Sequence, residues 1–524
     1  MLFGSSIERR CGGRSLNVDG LTAWQHGLIL AMIFGAFLSL RMWPIWPIRH
    51  QGCDAYNILL NAEALRARPK LPIRVPALFM LEGQEQWYPP GFLILCALVP
   101  DRVLVRWYWL LNHIVDFGSA VLIYAGALWF GAESGAAALA ALAYAIMPGL
   151  VNEFSSLNVR PLGLLLCNGL MLASLAFLLD SSWLHGITVS VLAVCLFFSH
   201  KLSVQQLWFT LPVLAVWFKE PLWLLPLAAI YVLSFAIWPR GAWRVLRGHF
   251  IIVRFWHRNW NRLGAHMVRQ SPVYGDGKTR TDFFADESSA AYIRFAKDTL
   301  HQNYFVVPVA VALITGGLVF EGMVKVLIIW IASVYVWGVA IHCITAIRAI
   351  GLGRQYFKFA LAPSLIATAL AVSNTYDPIV WFLVAGALFL TLRQYILIAR
   401  GNHMAVKGGV GHHSADLDAS LEHISKIADM RVVALPVQLC DLVAYRSRRP
   451  VYWGTHSDVF DDRLEAFFPV LRHPLSHYAA DGATHLLLDT RYAQPEELNL
   501  DAASCVSATG AFHIYRLGPT ATTL

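Results

Sequence analysis

Between positions 23 and 400 the chain runs through one long apolar stretch after another, and this succession constrains its fold more than any other feature. A helix of roughly 20 apolar residues spans the hydrocarbon core of a bilayer, where every backbone N–H and C=O must be paired internally. By that rule the sequence predicts eleven membrane helices, near 23–41, 103–130, 134–152, 160–180, 184–199, 203–218, 221–238, 304–320, 324–347, 353–373 and 378–399. Only 14% of the 524 residues are charged and 57% are hydrophobic, with a mean hydropathy of +0.52, which excludes a soluble globular protein of this length. The expected fold class is a polytopic α-helical membrane protein with a C-terminal soluble α/β domain.

The expected organisation is a transmembrane catalytic domain over 1–400 with outer loops 42–102 and 239–303, a linker over 401–425, and a soluble α/β domain over 426–524. Pro90 to Pro100 is too short and too proline-bounded to cross, and is assigned as a re-entrant or interfacial piece. The linker assignment rests on Gly401, Gly408, Gly409 and Gly411. The adjacent His412 and His413 have no third metal ligand near them in sequence. Beyond them, β-rich runs at Arg431 to Leu435, Val451 to Trp453, His485 to Asp489 and Phe512 to Leu517 alternate with helical or turn segments. The eight cysteines show no zinc spacing and are assigned to packing, with one disulfide, Cys440 to Cys505, open to the soluble domain.

With the N-terminus inside, both long loops and the C-terminal domain fall outside, and so do Asp54, Glu153, His200, Lys201 and Arg354. Arginine is plentiful in those outer loops, against the positive-inside rule. Only nine of the 41 basic residues are lysine. Arginine is the side chain suited to bidentate phosphate contacts, so an anionic substrate is a separate reason for breaking the rule.

The first outer loop carries Cys53-Asp54-Ala55-Tyr56 and ends in Trp87-Tyr88-Pro89-Pro90. Asp54 is a candidate general base, taking a proton from an acceptor hydroxyl or amine, or alternatively the N-cap of a helix starting at Ala55. These features resemble the polytopic GT-C glycosyltransferases, in particular the bacterial branch of protein mannosyltransferases and lipid A aminoarabinose transferases. The Asp54-Ala55-Tyr56 loop after the first span, the Tyr88-Pro89-Pro90 turn before the second, and many spans followed by a soluble domain carry the likeness. The resemblance implies a polyprenyl-phosphate-linked sugar as donor, an outward-facing site and an acidic residue of the first loop as base, which maps onto Asp54. Family members with paired acids have a second carboxylate beside the first. Asp54 has none, so divalent-metal dependence is left open.

Further candidates surround this loop. Glu153 is the second acid, orienting the acceptor or a cation, against a solvated loop glutamate. Arg240, Arg244, Arg247, Arg254, Arg258, Arg262 and Arg269 recur at steps of 3, 4 or 7 and share one stripe of an interfacial helix, gripping lipid head groups or the donor phosphate. Arg354 and Lys358, four apart, fall on one helix face and suit a lipid phosphate or snorkel to the interface, and His200 with Lys201 makes a similar case. Tyr56, Trp87 and Tyr88 are candidate substrate-binding aromatics, with Trp87 and Tyr88 suited to stacking on a sugar.

The sequence thus points to transfer of a sugar from a polyprenyl-phosphate donor to a lipid or glycan acceptor of the cell envelope, in the inner (plasma) membrane, with membrane lipids and no nucleic acid as partners. A transporter or flippase of an anionic lipid-linked substrate, or a polysaccharide ligase or polymerase, is the alternative.

Overall fold

The computed structural model describes residues 20–50, 52–71, 78–81, 88–259, 289–375, 377–407, 414–454, 462–468 and 471–518. Its principal helices are α1 (Ala23–Ile45), α2 (Cys53–Ala67), α3 (Gly91–Leu98), α4 (Asp101–Phe130), α5 (Ser134–Ala145), α6 (Arg160–Asp180), α7 (Trp183–Phe197), α8 (Lys201–Phe218), α9 (Leu225–Ile237), α10 (Pro239–Asn259), α11 (Ser289–Gln302), α12 (Val306–Ile314), α13 (Gly322–Cys343), α14 (Leu361–Asn374), α15 (Pro378–Lys407), α16 (Ala415–Lys426) and α17 (Cys440–Ser447).

Each of the eleven apolar runs carries helix, but they differ in length. Six helical stretches, Ala23–Ile48, Asp101–Phe130, Arg160–Asp180, Gly322–Cys343, Gly353–Asn374 and Pro378–Lys407, are long and apolar enough to cross a membrane. Ser134–Ala145, Trp183–Phe197 and Pro221–Ile237 are shorter apolar helices. The Gly353–Asn374 stretch is 89% buried across its most apolar window, against 28% for Ala23–Ile48 and Pro378–Lys407, so α14 is the central stave and α1 and α15 are peripheral. Around α14 a continuous apolar core gathers Tyr124, Leu164, Leu207, Trp330 and Leu365.

Part of the segment expected as the first outer loop is helical. It contains α2, whose Ala55, Ile58, Leu59 and Leu65 are buried in a second core together with Val433, Leu442, Leu487 and Ile514 of the C-terminal domain. Pro90–Pro100 is largely taken up by the eight-residue α3, which also joins this second core through Phe92 and Cys96. The 401–425 stretch expected as a linker is helical up to Lys407 and again from Ala415, with 408–413, including His412 and His413, outside the described residues.

The C-terminal domain folds around a four-stranded sheet of β1 (Val432–Leu435), β2 (His485–Asp489), β3 (Cys505–Thr509) and β4 (Phe512–Arg516), in the order β1-β2-β4-β3. β1 and β2 are parallel, and β4 is antiparallel to both β2 and β3. Residues 78–81 extend this sheet, since Met80 N–H donates to Val451 C=O at 2.8 Å and Val451 N–H to Leu78 C=O at 2.8 Å. Cys440 and Cys505 are both free thiols, so the open disulfide is not formed.

Candidate functional site

The connections at one end of the bundle converge on a cluster of charges. Asp54 enters it at the start of α2. It is not the N-cap; that position is Gly52, and Asp54 lies inside the first turn, where the helix dipole favours a carboxylate. Gly52 has φ +111°, and a Cβ there would sit 2.3 Å from Ser156 Oγ. Only glycine lets the chain turn into α2 against the 152–158 loop.

That loop supplies Glu153 and ends at Arg160, the first residue of α6. Arg160 stands between the two acids, with Nη2 3.8 Å from Asp54 Oδ2 and Nε 3.7 Å from Glu153 Oε1. On its other side Glu153 Oε1 accepts from the buried Lys358 ammonium. Asn158 organises the loop, donating from Nδ2 to Glu153 C=O at 2.9 Å and accepting at Oδ1 from Arg160 N–H at 2.9 Å. Asn112 of α4 donates to Ser156 C=O and accepts from Asn158 N–H, and Asn402 of α15 donates to Asn152 Oδ1 at 2.9 Å. Three asparagines from three segments therefore fix the loop. The buried Asn112 and Asn158 each fill both a donor and an acceptor role, and Asn402 serves as a donor.

His200 and Lys201 complete the cluster. His200 is the N-cap residue of α8 and is buried, with its Nδ1 2.7 Å from Ser203 Oγ. A Cβ on Gly163 would lie 2.4 Å from His200 Nδ1, so a glycine is needed for α6 to pass this close. The Lys201 ammonium lies 5.9 Å from the centre of the Tyr88 ring, close enough for a cation–π contact, and within electrostatic reach of Asp54 and Arg160. Burial, with Asp54 nearby, holds the Tyr88 phenol above the ordinary tyrosine range, so it stays a neutral hydrogen-bonding group. The cluster thus sets the partly exposed Asp54 carboxylate against Arg160 and Lys201, with Glu153 between Arg160 and Lys358.

Other sequence candidates fall elsewhere. Arg354 and Lys358 do not share an α-helical face: they lie in two separate 3-10 turns, Gly353–Gln355 and Phe357–Ala360, and α14 begins only at Leu361. Tyr56 is 3% exposed, its hydroxyl donating to His50 C=O at 2.7 Å and its ring 5.5 Å from Tyr445 of the C-terminal domain. Arg258 pairs with Glu465 at 2.5 Å, and Arg254 is solvent-exposed on α10. Trp87, Arg262 and Arg269 lie outside the described residues. The arginine helix itself is confirmed as one amphipathic element to Asn259, anchored to the bundle through a 2.7 Å contact between His249 and Gln205.

Arg160, Asn158 and Asn112 were missed in the sequence. Arg160 had a readable signal: it is a cation at the N-terminal boundary of the 160–180 run, seven positions after Glu153. Nothing in the sequence marks Asn112, because its partners are backbone groups 44 and 46 positions away.

Among the described residues, no three His, Cys, Asp or Glu side chains converge as a metal site. Arg160 lies between Asp54 and Glu153.

No family model and no curated protein sequence matches the chain. Solved structures do. ArnT from Cupriavidus metallidurans bound to undecaprenyl phosphate superposes with a TM-score of 0.55 at 13% identity over 95% of this chain and 99% of that one. The archaeal oligosaccharyltransferase AglB from Archaeoglobus fulgidus, in complex with an inhibitory peptide and a dolichol-phosphate, gives 0.58 at 12% identity over 89% of this chain and 69% of that one. The chain has their fold. With six helices long and apolar enough to cross a membrane, that likeness describes a mostly helical fold of multi-pass membrane type with a small C-terminal sheet.

Proposed function

We propose that the protein is a membrane glycosyltransferase that moves a sugar from a polyprenyl-phosphate donor to a cell-envelope acceptor at the outer face of the plasma membrane. The observation that carries this reading is Asp54, partly exposed at the start of α2 and faced by Arg160 and Lys201, within the fold shared with ArnT and AglB.

In this reading the acceptor hydroxyl or amine attacks the anomeric carbon while Asp54 takes its proton, and the bond from that carbon to the phosphate oxygen breaks. The departing polyprenyl phosphate keeps the electron pair, and Arg160 and Lys201 offset its charge in a low-dielectric site. Glu153 has a different role from Asp54. Bound to Lys358 and beside Arg160, it holds the two cations in place and is not free to act as a base. Among the described residues Asp54 and Glu153 are linked by Arg160, with no third His, Cys, Asp or Glu gathered beside them.

An eleven-crossing topology, of which six helices are long and apolar enough to span, would put Asp54, Glu153, His200, Lys201 and Lys358 on one side, with 131–133, 181–182 and 315–321 as short connections opposite. The test is transfer by purified protein from a panel of radiolabelled polyprenyl-phosphate sugars, comparing wild type with Asp54→Asn. Loss of about 100-fold or more is expected. Equal rates would remove Asp54 as base, and consumption of no donor by wild type would favour the transporter alternative.

A further inference from the structure

We propose that Asp441, in the C-terminal domain, is a positioning residue for the Asp54 carboxylate, acting through Asn57 of α2; the proposal rests on the assignment of Asp54 as base. α2 has 15 residues and no side-chain cap at Gly52. A helix of that length does not hold itself in water, so its placement is decided by what it packs against. Its apolar residues are buried against the C-terminal domain, but apolar contacts are non-directional and leave rotation and sliding weakly determined.

Directional contacts come from two asparagines. Asn57 and Asn61 are each 1% exposed, so their amides require partners within the protein. Asn61 Nδ2 donates to Asn57 C=O at 2.8 Å and to Asn57 Oδ1 at 2.9 Å. Asn57 Nδ2 in turn donates to Asp441 Oδ1 at 3.2 Å. Asp441 is 0% exposed and sits in the first turn of α17. Asn57 is three residues after Asp54, so the two side chains are neighbours on the surface of α2. A polar chain therefore runs from the C-terminal domain to the turn that carries the base.

One charged link between α2 and this domain is peripheral. Glu63 takes both Arg448 donors, at 2.9 and 3.2 Å, but both side chains are about half exposed. Exposed pairs of this kind contribute little rigidity. The buried Asn57–Asp441 bond is a directional tie from this domain to the first turns of α2, beside the Tyr56–Tyr445 ring contact, and a misplacement of about 1 Å in a reacting group costs on the order of 100-fold in rate. Asp441 is itself sealed from solvent and is not placed to touch substrate.

The experiment uses full-length protein in detergent, with the radiolabelled polyprenyl-phosphate sugar that wild type transfers fastest. Asp441→Leu should lower kcat about 10- to 100-fold with KM for donor and acceptor within about two-fold. Asp441→Asn should keep kcat within about two-fold, because its Oδ1 still accepts from Asn57. Asn57→Ala, which breaks the same bond from the other side, should reproduce the Asp441→Leu loss, and the double variant should lose no more than either alone. Independently of any donor, hydrogen exchange of the 55–60 amides should quicken about ten-fold or more in Asp441→Leu and stay unchanged in Asp441→Asn. Additive losses, a raised KM at unchanged kcat, an inactive Asp441→Asn, or unchanged exchange in Asp441→Leu would each overturn the proposal. Asp54→Asn, measured in parallel, separates the two ideas. If it is fully active the base assignment falls, and with it the target of Asp441; if it is inactive while Asp441→Leu is fully active, only the positioning falls.

Discussion

Beneath the candidate site an arginine and an aspartate are sealed inside the helix bundle, and their removal, singly and together, makes the sharpest test of the packing. Arg41 Nη2 lies 2.9 Å from Asp116 Oδ2, and neither side chain has any solvent exposure. Tyr144 donates to Asp116 Oδ1 at 2.6 Å, and Arg41 donates to Tyr144 C=O at 3.3 Å, tying α1, α4 and α5 together just before the Glu153 loop. Unit charges 2.9 Å apart attract by about 6 kcal/mol at an effective dielectric constant of about 20. Desolvation takes back several kcal/mol per ion, so the pair as a whole nearly balances. Arg41 Nε and Nη1 moreover find no hydrogen-bond partner among the described residues, which adds to the cost of keeping the arginine there. Arg41→Met or Asp116→Leu alone strands the other charge and should cost about 3–5 kcal/mol. Arg41→Met/Asp116→Leu together removes both charges and the orphaned donors, and should cost less than about 2 kcal/mol. Unfolding free energies from SDS titration of the purified protein in mixed micelles measure the cycle. A double variant that loses the sum of the two single losses would refute the reasoning.

Three further outcomes follow from particular contacts. Glu153→Ala removes the partner of the buried Lys358 and should destabilise by about 3–5 kcal/mol, with Lys358→Met recovering most of the loss in the same titration. Gly163→Val would force a side chain into the space of His200, so a stability loss of about 1–3 kcal/mol and lower sugar transfer are expected from melting curves and the donor-panel assay. In the C-terminal domain, burial and then the nearby Arg516 hold the His485 imidazole below its ordinary range. The unfolded chain therefore binds the proton more readily, so stability is full above about pH 6.5 and falls as the pH drops below it. Melting between pH 7.5 and 5.5 should show that slope in wild type and a shallower one in His485→Phe.

The runs of apolar residues announced the helices, because in lipid a backbone has no alternative to pairing with itself, and that rule needs only local sequence. The arginine helix was legible for the same reason, its stripe being a consequence of 3.6 residues per turn. Asp54 and Glu153 were legible as carboxylates at membrane boundaries, where charge is costly. Their different roles were not, because Glu153 is set apart only by Lys358, 205 positions away, and by Arg160. The expected face shared by Arg354 and Lys358 failed because spacing by four implies proximity only in an α-helix, and tertiary packing turns that segment into two 3-10 turns.

By itself, then, the sequence determined the class of fold, the helical stretches and the residue types available at one end of the bundle, since hydrophobicity and periodicity act over a few neighbouring residues. Only the tertiary structure decided which of those residues meet. It placed Arg160 between the two acids, Lys358 on Glu153, and the C-terminal domain against α2 through Asn57 and Asp441, 384 positions apart. Charges and hydrogen bonds act over a few ångströms in space, and no local pattern in the chain records which distant segments packing will bring within that range.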